Sequence, residues 1–169
     1  IGMDKKNFNY ATTGGSSGNP LGFYRPKHYD AIEKAFIITM WKRMGYKRND
    51  SIVVFRGKQI ENSNYYYDKK KNIWYFSIYN MNKDSILDYK NKFNEIKPKF
   101  LHVYPSSLKI FVELLREHNY RDIFSPKAIF SSSENLPDLD RELFESFFNS
   151  RMFSWLGLGE RTVLAGECE

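Results

Sequence analysis

Only one of the 169 residues is a cysteine, Cys168, so no intrachain disulfide can form. The three histidines, His28, His102 and His118, are scattered, and no Cys/His set has the spacing of a zinc site. No apolar run approaches the ~20 residues needed to cross a bilayer, and no secretory h-region is present. The chain is therefore expected to be a soluble, cytoplasmic protein with no membrane partner. No Gly-Lys-Ser/Thr closes a glycine-rich loop, which removes the commonest phosphate-loop pattern. Gly157-Leu158-Gly159 lacks the third glycine of a dinucleotide fingerprint. Internal repeats, sustained heptads and a linker between domains are missing too.

What is present argues for a packed domain. Hydrophobic residues make up 41% and aromatics 17%, too many for a disordered chain. The length suits one ordinary domain with a sizeable core. Fourteen Phe, twelve Tyr and three Trp predict an aromatic-rich core with tyrosines on its margins. The net charge of +6 favours anionic partners such as nucleotides, nucleic acid or acidic surfaces. Part of that excess lies in Lys69-Lys70-Lys71, which reads as a solvated turn.

One stretch stands out: Ala11-Thr12-Thr13-Gly14-Gly15-Ser16-Ser17-Gly18-Asn19-Pro20-Leu21. Glycines let several N–H groups point at one spot, with no Cβ to keep a ligand away. Serine and threonine add hydroxyls that can bond phosphate oxygens or reach magnesium. The composition suits a flexible linker equally well. The residues C-terminal to the stretch decide between the two.

A helix pattern begins near Tyr29, with Ile32, Phe36, Ile37, Met40, Trp41 and Met44 on one face and Gly45 at its end. Residues 51–55 form a β-branched strand ended by Arg56-Gly57. Residues 65–67 and 73–79 read as a hairpin in which Trp74, Phe76 and Ile78 alternate with Tyr75, Ser77 and Tyr79. Ser85 is placed to cap a helix carrying Ile86, Tyr89, Phe93 and Ile96, which Pro98 stops. A strand over 100–104 leads to a helix opened by Pro105, with Leu108, Phe111, Val112 and Leu115 on one side. A strand over 128–131 precedes a helix begun near Pro137 and carrying Leu139, Leu143, Phe144, Phe147 and Phe148. A last strand covers 151–156. Strands alternating with helices predict an α/β fold: a parallel or mixed sheet flanked by helices, with an additional β-hairpin. Ligands in such sheets bind beyond the carboxyl ends of the strands, where residues 104–107, 132–135 and 157–160 fall.

Glu134 and Glu160 both follow strands directly, where a carboxylate could accept from an adenine amine or hold magnesium. Either could equally be an ordinary loop or helix-start acid. His102, just before Tyr104-Pro105, could face a pocket, whereas His118 ends a helix. The aromatic and basic hairpin could stack on single-stranded nucleic acid. A sheet with one buried face explains the same alternation, so nucleic acid is not an expected partner.

In order along the chain, three motifs resemble the adenylate-forming (acyl-activating, AMP-binding) superfamily, nearest the phenylacetate–CoA ligase and capsular polysaccharide biosynthesis branch. Thr13-Gly14-Gly15-Ser16-Ser17-Gly18-Asn19-Pro20 is similar to the family's Thr/Ser/Gly-rich loop ending Gly-x-Pro. Val103-Tyr104-Pro105-Ser106-Ser107-Leu108 and Ser131-Ser132-Ser133-Glu134-Asn135 resemble its proline-led helix and Ser-x-Glu turn. Trp155-Leu156-Gly157-Leu158-Gly159-Glu160 resembles Tyr-Gly-x-Thr/Ser-Glu.

The resemblance implies a ligase that activates a carboxylic acid with Mg-ATP (cofactors ATP and Mg2+). The acyl-adenylate would then pass its acyl group to coenzyme A, a sugar or another acceptor. It implies that Thr13, Gly15, Ser16, Ser17 and Gly18 grip the phosphates and that Ser133 and Glu134 lie by the adenine. Gly157 would let the nucleotide lie close, and Glu160 would hold the metal. His102, Tyr104 and Pro105 would line the acyl pocket. Leu156 stands where the family has a tyrosine, and Gly159 where it has a hydroxyl residue, which leaves a non-catalytic nucleotide-binding relative as an alternative; a basic nucleic-acid-binding module is the other. The implied organisation is residues 1–169 as an incomplete ATP-binding large domain, part of a longer protein. The family's C-terminal lid domain, with its catalytic lysine, would lie outside this chain.

Overall fold

The computed structural model describes residues 5–12 and 18–168. Thr13, Gly15, Ser16 and Ser17 lie outside the described residues. The chain divides into two compact units, one formed by Ile1–Gly45 with Trp155–Glu169 and the other by Tyr46–Ser154.

In the first unit a short 3-10 turn, Lys5–Asn7, leads into β1 (Phe8–Thr12), which pairs antiparallel with β2 (Gly22–Pro26). The pair brackets the glycine-rich stretch, with Thr12 opposite Gly22 at its mouth. The Tyr10 ring lies over Gly22, and a Cβ there would collide with its hydroxyl. Helix α1 (Tyr29–Arg43) comes next, with Asp30 in its first turn and Lys42 and Arg43 in its last, each sign complementing the helix dipole. Gly45 takes the left-handed φ of +81°, and its N–H donates to the Lys42 carbonyl at 2.9 Å, the expected helix stop. The apolar face expected of α1 is only partly covered: Trp41 is buried, edge-on to Trp155, while Ile32 is exposed.

The second unit holds the core. β3 (Ile52–Phe55), buried at every residue, is flanked in parallel by β5 (Ile73–Phe76) and β6 (Phe100–Val103). β6 is followed in parallel by β7 (Ala128–Ser132), and β4 (Tyr65–Asp68) joins β5 antiparallel as the expected hairpin. β8 (Met152–Gly157) begins in this unit and ends in the other, where it pairs antiparallel with β9 (Leu164–Gly166). The strand order is β4-β5-β3-β6-β7-β8-β9, the mostly parallel, mixed sheet that the sequence predicts.

Successive strand residues point to opposite faces. Val53, Phe55, Leu101, Val103 and Ile129 share one face and one hydrophobic cluster with Ile86, Tyr89 and Phe93 of α2 (Ile86–Ile96). Leu108, Phe111, Val112 and Leu115 of α3 (Pro105–Glu117) and Phe144 and Phe148 of α4 (Asp138–Phe148) complete the cluster. Phe55 packs on Phe111 at 4.9 Å and on Phe76 at 5.3 Å between ring centroids. The hairpin splits by the same rule. Tyr67 stacks on Trp74 at 4.5 Å on one face, and Tyr66 meets Tyr75 on the other under the ammonium of Lys58.

Several local expectations are corrected. β5 ends at Phe76, since Ser77 already donates its N–H to Asn64 beyond the end of the β4 ladder. Ser85 does not cap α2 through its side chain; its hydroxyl donates to the Asn80 carbonyl at 2.8 Å. The preceding turn is held by Asn82, whose Oδ1 accepts from the N–H groups of Asp84 and Ser85. Leu139, expected on the buried stripe of α4, is 78% exposed. Asp140, one residue on, instead draws Lys109 of α3 into an ion pair at 2.8 Å.

Candidate functional site

Three adjacent parallel strands change character together. On the face opposite the helical cluster, β3 presents Ile52, Val54 and then Arg56. β6 presents Phe100, His102 and then Tyr104, while β7 presents Ala128, Phe130 and Ser132. Register places Val54 beside His102 and His102 beside Phe130, and the Tyr104 N–H donates to the Phe55 carbonyl at 2.8 Å. Each strand is therefore apolar at its amino end and polar at its carboxyl end, and the polar ends meet.

The meeting is close. Arg56 Nη2 donates to the Tyr104 hydroxyl at 2.9 Å, and the guanidinium carbon lies 4.6 Å from the Tyr104 ring centroid. Arg56 Nη1 approaches His102 Nε2 at 3.5 Å, and the Ser132 hydroxyl lies 3.3 Å from the same nitrogen. A guanidinium only donates, so Nε2 presents its lone pair to it and the ring proton sits on Nδ1. Ser132 then donates. Burial first, and the charge of Arg56 second, pull the His102 pKa down to about 3. The imidazole is neutral at pH 7, an acceptor and not a cation. Arg56 Nε is buried and has no hydrogen-bond partner among the described residues.

At the next strand end, Ser133 is held at φ +67°, a left-handed conformation that costs a non-glycine residue energy. This turn aims Glu134 at the start of α3. Glu134 Oε2 accepts from the Ser106 N–H, and Oε1 from the Ser106 hydroxyl, both at 2.9 Å. A carboxylate at a helix N-terminus complements the dipole and satisfies a free N–H. Pro105, the first residue of α3, has no N–H to leave unpaired.

The remaining residues singled out in the sequence belong to the first unit. Gly18 opens the described chain after the hydroxyl-rich stretch at φ +87°, a conformation glycine adopts without strain. Gly157 ends β8 opposite Leu164, and a Cβ on it would press that side chain at 3.2 Å. Gly159 and the half-buried Glu160 lie in the turn joining β8 to β9. Arg25 donates to the Gly159 carbonyl at 3.3 Å. Arg161, at φ +60°, meets Asp30 and pairs with Glu33 at 2.8 Å, so two arginines fasten this turn to β2 and α1. Leu156 is 62% exposed.

Arg56 is the residue that sequence reading passed over. A single charge after an apolar strand looks like a solvated end. The shared switch from apolar to polar at alternate positions of three neighbouring strands is the signal that marks it.

No family model matches the chain. Its fold, however, is similar to that of part of solved acyl-CoA ligases. An open conformation of 2-hydroxyisobutyryl-CoA ligase, in complex with 2-HIB-AMP and CoA, aligns with a TM-score of 0.63 at 16% identity, over 95% of this chain and 35% of that one. A long-chain-fatty-acid-CoA ligase from Archaeoglobus fulgidus aligns with a TM-score of 0.54 at 15% identity, over 88% and 31% of the two chains. In sequence, the chain is 28% identical to Protein CapK of Staphylococcus aureus over 144 residues, 81% of this chain and 32% of that protein. The chain thus spans about a third of the length of the relatives it matches. Among the described residues no helix is long and apolar enough to cross a membrane.

Proposed function

We propose that residues 1–169 are the incomplete ATP-binding large domain of an AMP-forming acyl-activating ligase. It would work in the cytoplasm and serve capsular or surface polysaccharide biosynthesis. The observation that carries this reading is the joined pair of strand ends. The segment resembling the family's proline-led helix and the segment resembling its Ser-x-Glu turn lie one strand apart, and Ser106 and Glu134 tie them together. The likeness to Protein CapK supports the polysaccharide setting, and the ligase folds support the chemistry.

In this reading a carboxylate oxygen of the acid attacks the α-phosphorus of ATP. The bond from that phosphorus to the bridging oxygen breaks, and pyrophosphate leaves. The acyl group of the resulting adenylate passes to coenzyme A or a sugar acceptor, releasing AMP. Thr13, Gly15, Ser16, Ser17 and Gly18 would serve the phosphates, with Gly157 giving close backbone approach. Glu160 would hold Mg2+, whose charge offsets that developing on the phosphates. A single half-buried carboxylate fits that ion, which ordinarily takes one or two protein carboxylates and fills its shell with phosphate oxygens and water. Ser133 and the turn backbone would meet adenine, with Glu134 fixing the turn through Ser106. His102, Tyr104 and Pro105 would line the acyl pocket.

Calorimetry on the full-length protein tests the nucleotide part: Mg-ATP binds in this account, and no heat would count against it. Glu160→Gln is expected to lower acid-dependent pyrophosphate release roughly a hundredfold, the scale of losing several kcal/mol of charge stabilisation. Unchanged release removes the metal role. The exposed Leu156 favours one second reading, a nucleotide-binding relative without catalysis. That protein would bind Mg-ATP and release no pyrophosphate with any acid.

A further inference from the structure

Arg56 holds a permanent charge partly out of water, and among the described residues no carboxylate lies within ion-pairing distance of it. Other cations of the same unit are treated differently. Lys90 meets Asp122, Lys99 meets Asp50, Lys109 meets Asp140 and Arg141 meets Glu145. An uncompensated buried charge is expensive. The surroundings of Arg56 nonetheless fix its direction: Tyr104 takes one N–H and the face of the guanidinium, and neutral His102 adds no second charge. Its buried Nε–H is left without an acceptor. A directed cation with a free donor makes a receptor for an anion.

The reacting carboxylate of the acid is a poor candidate for that anion. Pairing it with arginine stabilises the ground state, and adenylation then consumes its charge, so the contact is lost on the way to product. A second anionic group keeps its charge throughout and binds equally before and after the reaction. An alkyl end would desolvate Arg56 and return nothing. We infer that the acid taken by this site carries a second, distal carboxylate that pairs with Arg56, held in position by Tyr104. The inference rests on the acyl-activating reading above. Dicarboxylic acids and acidic amino acids share this chemistry.

The test compares succinate, glutarate and L-aspartate with the length-matched monocarboxylates butyrate and valerate, using full-length protein. Binding is read by calorimetry and activation by acid-dependent ATP–pyrophosphate exchange. The wild type is expected to favour the acids with two carboxylates about tenfold or more, the scale of a charge-assisted hydrogen bond. Arg56→Gln should reduce that preference to near one, and Arg56→Lys should restore part of it. Preference for succinate and glutarate over L-aspartate, or the reverse, identifies the source. A wild-type preference for monocarboxylates, or an unchanged preference in Arg56→Gln, overturns the inference while exchange leaves the ligase reading standing. Arg56-dependent binding of dicarboxylates without any exchange upholds the anion site and overturns the ligase reading. If Arg56→Gln does not fold, Tyr104→Phe removes one hydroxyl only. It should weaken dicarboxylate binding about threefold, and a folded Tyr104→Phe protein with unchanged binding counts against the inference.

Discussion

The two faces of β3, β6 and β7 are made of alternate residues of the same strands, yet they solve opposite problems. On one face Val53, Phe55, Leu101, Val103 and Ile129 meet Phe93, Phe111 and Phe148 in a cluster sealed from water. On the other, an apolar floor of Ile52, Val54, Phe100 and Phe130 gives way at the carboxyl ends to Arg56, His102, Tyr104 and Ser132. The first face packs its apolar side chains against one another, whereas on the second, among the described residues, no acid pairs with Arg56. In the proposed reading, stability and recognition fall to two sides of one sheet. The division predicts that damage to the first face unfolds the protein, while damage to the second changes what it binds.

The largest effect tests the sealed face. Phe111→Ala removes a ring packed on Phe55 and Phe93 and is expected to cost about 3–5 kcal/mol in urea unfolding. A loss below about 1 kcal/mol would mean that the cluster is not the main core.

A smaller effect concerns pH and the polar face. Unfolded histidine titrates near the ordinary value, about 6.5, whereas His102 in the native protein is pulled down to about 3. Between those values the unfolded chain binds a proton that the native protein refuses, so stability rises with pH there. The contribution is complete above about pH 6.5 and falls away as pH drops toward 3, amounting to roughly 1–3 kcal/mol between pH 7 and pH 4. Unfolding of wild type and His102→Asn at both pH values isolates it from the carboxylates. Equal pH dependence in the two proteins would place His102 in water and open the polar cluster.

Much of this division is legible in the sequence, and its gaps have physical causes. The parallel strands, their helices and the aromatic hairpin follow from period-2 and period-3.6 patterns, which burial imposes directly. β1 and β2 do not show themselves, because Asn9, Tyr10, Arg25 and Pro26 make no alternation. β9, Leu-Ala-Gly, holds no β-branched residue. Such strands exist because a partner strand accepts them, which no local pattern reports. Ser85 is a good capping residue whose hydroxyl found the Asn80 carbonyl closer. Of the site, His102, Tyr104, Pro105, Ser133 and Glu134 are legible as residues at strand ends. Arg56 becomes visible only when register puts three strand ends side by side.

Two finer variants probe the boundary between the faces. Glu134→Ala removes both hydrogen bonds to Ser106 at the start of α3 and should cost about 1 kcal/mol, the usual scale for a helix N-terminal partner. A neutral result would make the turn's position independent of that contact. Leu139→Ser lies on an exposed stretch of α4 and should change stability by less than about 0.5 kcal/mol. A larger loss would show that its side chain is covered in the protein.

The most direct test of the central claim, that the polar strand ends belong to an acid-activating site, is exchange of labelled pyrophosphate into ATP by the full-length protein. The account predicts exchange that requires magnesium and an added carboxylic acid together. Mg-ATP binding with no exchange for any acid, mono- or dicarboxylic, would contradict it.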